Sequence, residues 1–106
     1  MEVKVTETDD GCEIALRGDM TIYTAMQCKE EMLAPLQQYK HISVDMDGVY
    51  EIDTSGLQII ALFLKESLEK NIGVRFSSVS EVVQEFLDFC GLSGILIPET
   101  QPAAAC

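Results

Sequence analysis

The chain has 106 residues, 47% of them hydrophobic and 24% charged, the size and balance of one globular domain with one core. This excludes collagen, low-complexity disorder and a disulfide-built miniprotein, and the longest apolar run, Ile59 to Leu64, is far short of the ~20 residues of a membrane-spanning helix. A formal net charge of −11 argues against nucleic acid and anionic membranes as partners; it permits a protein partner with a basic surface and equally serves solubility alone.

Val3 and Val5, then Cys12, Ile14 and Leu16, alternate with polar residues, the period-two pattern of half-buried strands. Asp9-Asp10-Gly11 between them is turn chemistry, so a hairpin opens the chain. Gly18-Asp19-Met20 closes its second strand. A helix is expected from Thr24, whose hydroxyl and Gln27 have capping-box spacing. Ala25, Cys28, Met32 and Leu36 form its apolar stripe, and Pro35 kinks or shortens its last turn. His41 to Met46 reads as a third strand centred on Ile42 and Val44, with residues 47–53 a loop.

A second helix starts at Thr54 or Ser55 and runs to about Asn71, with Leu57, Ile60, Ala61, Leu64 and Leu68 as its buried stripe. Gly73 stands at the expected C-terminal cap position. Ile59 and Phe63 widen the apolar face, which leaves two readings open: burial on both sides, or an apolar patch offered to a partner. Val74 to Ser77 is a fourth strand, and Ser80 caps a third helix, Glu81 to Cys90, ended by Gly91. Leu92 to Pro98 is a short apolar closing segment, and residues 99–106 are expected to form a disordered tail. The order implies an α/β fold over residues 1–98: a mixed sheet of four to five strands opened by a β-hairpin, with three to four helices packed on it.

Cys12, Cys28, Cys90 and Cys106 include no C-x-x-C pair, and His41 is the one histidine, so no zinc-ligand spacing is present and no cofactor is implied. Met1 leads into a polar alternating segment rather than a secretory leader. The expected compartment is the reducing cytoplasm, with free thiols and with Cys12 and Cys28 as small core residues.

The informative stretch is Asp53-Thr54-Ser55-Gly56-Leu57, between a strand and an apolar helix. Helix N-termini leave N–H groups open and carry a partial positive charge. A hydroxyl there serves either as a simple N-cap or as an accessible group that Gly56, lacking a side chain, lets another protein approach. Tyr23, beside Asp19 and Thr21, either joins the Ser55 surface or lays its ring over the first helix. Asp19, Asp45, Asp47, Glu51 and Asp53 are expected to gather at the Ser55 end of the sheet. A phosphate added there meets like charges, at about 3 kcal/mol per unit pair ~6 Å apart. The helix N–H groups offset up to ~2 kcal/mol of that.

Val44-Asp45, Val49 and Asp53-Thr54-Ser55-Gly56-Leu57 ahead of an apolar helix resemble the core motif of STAS domains, which include the anti-sigma factor antagonists. Gly18-Asp19-Met20-Thr21-Ile22-Tyr23-Thr24-Ala25 resembles the opening of the first helix in one branch of that family, and Phe86-Leu87-Asp88-Phe89-Cys90-Gly91-Leu92 resembles its closing helix. The resemblance covers residues 3–98. It implies the STAS fold, a regulatory and non-enzymatic role in signal transduction and transcription, and reversible phosphorylation of Ser55. The implied partner is an anti-sigma factor with serine-kinase activity, or a related signalling protein, contacting Asp19, Thr21, Tyr23, Asp53, Thr54, Ser55, Gly56 and Leu57. Thr21 stands where typical antagonists carry an Asp. The Thr21 to Ala25 opening is similar to a chemotaxis-associated group, and other branches work in lipid-transport complexes, so a constitutive adaptor is the alternative.

Two enzymatic readings compete. Val44-Asp45-Met46-Asp47-Gly48-Val49 has the D-x-D-G spacing of haloacid-dehalogenase-like phosphatases, in which two carboxylates hold Mg²⁺ and one attacks phosphate. That motif normally ends a first strand with a larger domain following, and the plainer reading is a strand end and turn. A nucleophilic Ser55 lacks a G-x-S-x-G context, and His41, expected as an exposed strand-start residue, lies out of its reach.

Overall fold

Period-two alternation builds the sheet. The structure, a computed structural model, describes residues 1–92, 94 and 96. β1 (Glu2–Glu7) and β2 (Cys12–Met20) form the expected antiparallel hairpin, with Glu7 opposite Cys12. The Thr8 N–H donates to the Gly11 carbonyl across the turn at 2.8 Å. β2, β3 (His41–Ile52) and β4 (Gly73–Val79) run parallel, in the sheet order β1-β2-β3-β4. α1 (Ala25–Leu33) and α2 (Thr54–Glu69) supply the crossovers that parallel pairing requires, and α3 (Glu81–Phe89) follows β4. The architecture is the α/β class expected, with four strands and three α-helices among the described residues.

One core holds these layers together. Cys12, Ile14, Leu16 and Met20 of β2 and Ile42, Val44 and Met46 of β3 are buried. They share a cluster with Cys28 and Met32 of α1, Ile59, Ile60 and Phe63 of α2, and Val83 and Leu87 of α3. The alternate residues Glu13, Ala15, Ser43 and Asp45 lie on the other sheet face and stay partly exposed. Burial pushes the Cys28 thiol up to about 11, with Glu31 adding to it, and raises that of Cys12 in the same way, with Glu7 adding. Both are free cysteines, as is the exposed Cys90.

Several local expectations give way to tertiary packing. Residues 47–53 do not form a loop: β3 continues to Ile52. Asp47-Gly48 has turn chemistry, but the ladder absorbs it, because β3 carries an extra residue opposite Ala15–Arg17 and another opposite Gly18–Asp19. Gly48 provides room for this close approach, since a Cβ there would lie 3.0 Å from the Leu16 carbonyl oxygen.

The buried stripe of α2 is Gly56, Ile59, Ile60, Phe63 and Ser67. Ala61 and Leu68 face solvent, and Leu57 and Leu64 are half-buried. Ile59 and Phe63 are therefore core rather than a docking patch. After α2 the left-handed position belongs to Asn71, at φ 59°, a residue type that tolerates it; Gly73 instead begins β4.

At α1 the capping box does not form. Thr24 makes no side-chain cap, and the Gln27 amide donates to the Met1 carbonyl at 2.9 Å. The α-helix stops at Leu33, and Pro35 sits in a 3₁₀ turn, Ala34–Gln37, consistent with its missing N–H. Ser80 caps α3 as expected, accepting from the Val83 N–H at 3.3 Å while donating to the Val49 carbonyl at 2.7 Å. Of the closing segment only Leu92, Gly94 and Leu96 are described, with Leu96 in the core; the tail 99–106 lies outside the described residues.

Candidate functional site

β2 and β3 end side by side. Met20 pairs with Ile52, and the Asp53 N–H donates to the Met20 carbonyl at 3.3 Å. The chain thus leaves the sheet twice at one edge, once into residues 21–24 before α1 and once directly into α2. This carboxyl end of parallel strands is where α/β sheets usually bind.

Asp53 joins the two exits. Its Oδ1 accepts from the Ser55 N–H at 2.8 Å and the Gly56 N–H at 3.3 Å, while Oδ2 accepts from the Ile22 N–H at 3.1 Å. Asp53 is therefore the N-cap of α2, in place of the expected Thr54 or Ser55. A carboxylate there satisfies open N–H groups and complements the helix dipole. Because Asp53 already occupies those donors, they are not available to offset a phosphate on Ser55, as the sequence had suggested.

The turn before α1 is closed by Thr24, whose hydroxyl donates to the Asp19 carbonyl at 2.8 Å and accepts from the Thr21 N–H at 3.1 Å. Thr21 is only 5% exposed, and its hydroxyl donates to Asp19 Oδ2 at 3.4 Å. Its side chain faces inward, which corrects its expected place on a partner-contacting surface. Gly56 is also buried, and a Cβ there would collide with the Met20 carbonyl oxygen and lie 2.9 Å from Ile52 Cγ1. It is glycine so that α2 can sit against the end of β2, rather than to open Ser55 to another protein.

Ser55 itself is half-buried, while Thr54 is exposed. Ser55 opens on a hollow of about 400 Å³ between α1 and α2. Ile22, Ala25, Met26 and Lys29 wall one side; Ser55, Gln58, Ile59 and Leu62 wall the other. Ile22 and Met26, 66% and 76% exposed, form an apolar rim on the hollow beside the serine, and Tyr23, next to Ile22 in the chain, is 92% exposed. At that exposure the Tyr23 ring does not lie packed on α1.

Ile22, Met26, Lys29, Gln58 and Leu62 were not among the expected site residues. Ile22 and Met26 stand at i and i+4 off the Ala25–Cys28–Met32 stripe, and that off-stripe apolar pair was the available signal.

The acidic residues gather only in part. Asp19 pairs in register with Glu51, and Asp53 follows. Asp45 and Asp47 instead sit in mid-β3, with the Asp47 N–H donating to Asp45 Oδ1 at 2.9 Å. They are neither a strand end nor part of the Ser55 edge, so the position a phosphatase nucleophile takes at a strand tip is not theirs. His41 is exposed, at the far end of β3, about 30 Å from Ser55 at ~3.3 Å per residue.

Residues 2–104 match the STAS domain family. The chain belongs to that family. This STAS domain is 23% identical over 97 residues to an anti-sigma-B factor antagonist of Staphylococcus epidermidis, covering 91% of this chain and 90% of that one. Among solved structures it resembles the anti-sigma factor antagonist SpoIIAA in its unphosphorylated form, with a TM-score of 0.73, 16% identity, and 94% and 90% of the two chains covered. The phosphorylated form of SpoIIAA, a cell fate determinant of Bacillus, gives 0.68, with the same identity and 94% and 93% coverage. An anti-sigma factor antagonist from Mycobacterium paratuberculosis gives 0.78, with 17% identity and 95% and 86% coverage. These structural likenesses establish the fold.

Proposed function

We propose that this STAS domain is a cytoplasmic binding module of the anti-sigma factor antagonist type, which docks a protein partner at the Ser55 edge and releases it when Ser55 is phosphorylated. The observation that carries the reading is the position of Ser55 in the wall of a hollow that the exposed Ile22 and Met26 also line. An unmodified edge of this kind offers a partner apolar surface and a neutral hydroxyl. The names of the relatives, and a SpoIIAA structure in each phosphorylation state, support the same reading.

The partner is an anti-sigma factor with serine-kinase activity, or a related signalling protein, with a basic surface to match the net charge of −11. Tyr23, Thr54, Ser55 and Leu57 present side chains to it, together with Ile22 and Met26. Asp19, Thr21, Asp53 and Gly56 hold those residues in place. In the switching step Ser55 Oγ bonds to the γ-phosphorus of a nucleoside triphosphate and the bond from that phosphorus to the β–γ bridging oxygen breaks. The nucleoside diphosphate leaves, and the hydroxyl proton passes to a base on the kinase. This chain supplies the acceptor and the docking surface; the chemistry belongs to the kinase.

A second reading has one specific feature in its favour: Thr21 in the place of the usual Asp points to a constitutive adaptor, in a chemotaxis-linked or lipid-transport complex. Phosphosite mapping separates the two. The domain is incubated with its affinity-purified kinase partner and ATP, then digested and sequenced by tandem mass spectrometry. Phosphate on Ser55 is expected. Phosphate on Thr54 alone, or none while the partner still binds, favours the adaptor.

A further inference from the structure

We propose that Lys29 receives the phosphate of modified Ser55, so that the phosphoseryl side chain lies in the α1–α2 hollow. This rests on Ser55 being the modified residue and adds how the modification acts.

Three observations lead there. First, the Ser55 and Gly56 N–H groups already donate to Asp53 Oδ1, so the helix start, usually an anion site, is taken by a carboxylate. Second, the strand ends that lead to Ser55 are acidic: Asp53 precedes it by two residues, and Asp19 and Glu51 are paired at the ends of β2 and β3. A phosphate of about −1.5 to −2 is repelled from those ends. Third, Ser55 opens on the hollow, and Lys29 of α1 is the one charged side chain in its walls. Lys29 is exposed and makes no salt bridge among the described residues. Lys29 and Ser55 line the same hollow from its two walls, and the flexible four-carbon lysine stem lets the ammonium turn toward a phosphate on the opposite wall.

Release of a partner then has two components. The apolar rim gains a hydrated charge that a docked partner would have to desolvate, and the hollow between Met26 and Leu62 is occupied from within. Lys29 is a positioning residue in this scheme, acting through the phosphate rather than on the partner.

The test uses the full chain with phosphoserine inserted at position 55 during translation, so that no kinase is needed. The second ionisation of the phosphate, near pH 6 in free phosphoserine, is followed by ³¹P NMR at low salt. A lysine ammonium beside the phosphate favours the dianion, so Lys29→Gln is expected to raise the phosphate's proton affinity about two- to fourfold. Lys29→Arg should leave it near the wild-type value, and 1 M salt should erase the difference between wild type and Lys29→Gln. Equal titration of the wild-type and Lys29→Gln proteins overturns the proposal. The wider reading is scored separately: a partner that binds the phosphorylated and unmodified proteins equally well sinks the switch, whatever the NMR shows.

Discussion

Removing the Asp53 carboxylate should loosen two elements at once, because one side chain caps α2 and ties down the turn before α1. Asp53→Ala loses the helix cap, worth about 0.5–2 kcal/mol, and the hydrogen bond from the Ile22 N–H, worth about 1.5–3 kcal/mol when the acceptor is charged. Allowing for partial exposure, the total is about 2–4 kcal/mol. That is a large part of the 5–15 kcal/mol typical of a domain, and lowers Tm by roughly 4 °C per kcal/mol at this chain length. Asp53→Asn separates the two roles. Asparagine caps as well as aspartate, so its oxygen keeps the Ser55 and Gly56 N–H groups. Its NH₂ then faces the Ile22 N–H, and only the cross-turn bond is lost, about 1–2 kcal/mol. Ser55→Ala is the control: Ser55 is not the cap, so its loss should stay within about 0.5 kcal/mol. Urea unfolding at neutral pH gives all three values, with unchanged m expected. Equal losses for Asp53→Ala and Asp53→Asn, or a Ser55→Ala loss above about 1 kcal/mol, would refute the assignment of the cap.

Gly56→Ala should destabilise despite a helix-propensity gain of about 1 kcal/mol, because the new Cβ meets the Met20 carbonyl and Ile52 and overpacking costs about 1–3 kcal/mol; a more stable variant in urea unfolding would contradict that packing. Phe63→Ala should cost about 3–5 kcal/mol, since Phe63 is fully buried, whereas Leu68→Ala, at a site 77% exposed, should be nearly neutral; the reverse order would restore the stripe expected from sequence. Stability should also fall at alkaline pH: the Cys28 thiol is held neutral up to about 11 in the fold, against 9.0 when unperturbed, so its contribution is complete below pH 9 and is lost as pH rises toward 11, by about 2–3 kcal/mol. Comparing Cys28→Ala with wild type across that range isolates the effect, and identical slopes would contradict it.

The strands and helices were legible wherever local pattern and tertiary packing agree. Alternation from Cys12 to Leu16 and the Asp9-Asp10-Gly11 turn led directly to the hairpin, and of the stripe expected for α1, Cys28 and Met32 are buried in the helix, Leu36 is buried in the 3₁₀ turn after it, and Ala25 is half-buried. Pattern failed where a partner strand or helix decides. Asp47-Gly48 reads as a turn until β2 is seen to accommodate it with extra residues in β3. In α2, apolar residues at 57, 59, 60, 62, 63 and 64 span so much of the helix that periodicity does not fix its rotation. The seating of Gly56 against Met20 does. Ser55 and Tyr23 were readable as candidates, but the bond from the Ile22 N–H to Asp53 joins residues 31 apart and leaves no local trace. Met26 and Lys29 join the site only because α1 lies beside α2.

The central claim is that phosphate on Ser55 releases the partner. Its most direct test is the dissociation constant of the purified partner for the unmodified domain and for the domain carrying phosphoserine at position 55, measured by calorimetry at physiological salt. Desolvating the phosphate under a docked partner costs on the order of 3 kcal/mol, which corresponds to binding weakened roughly 100-fold. Equal constants for the two forms would contradict the account.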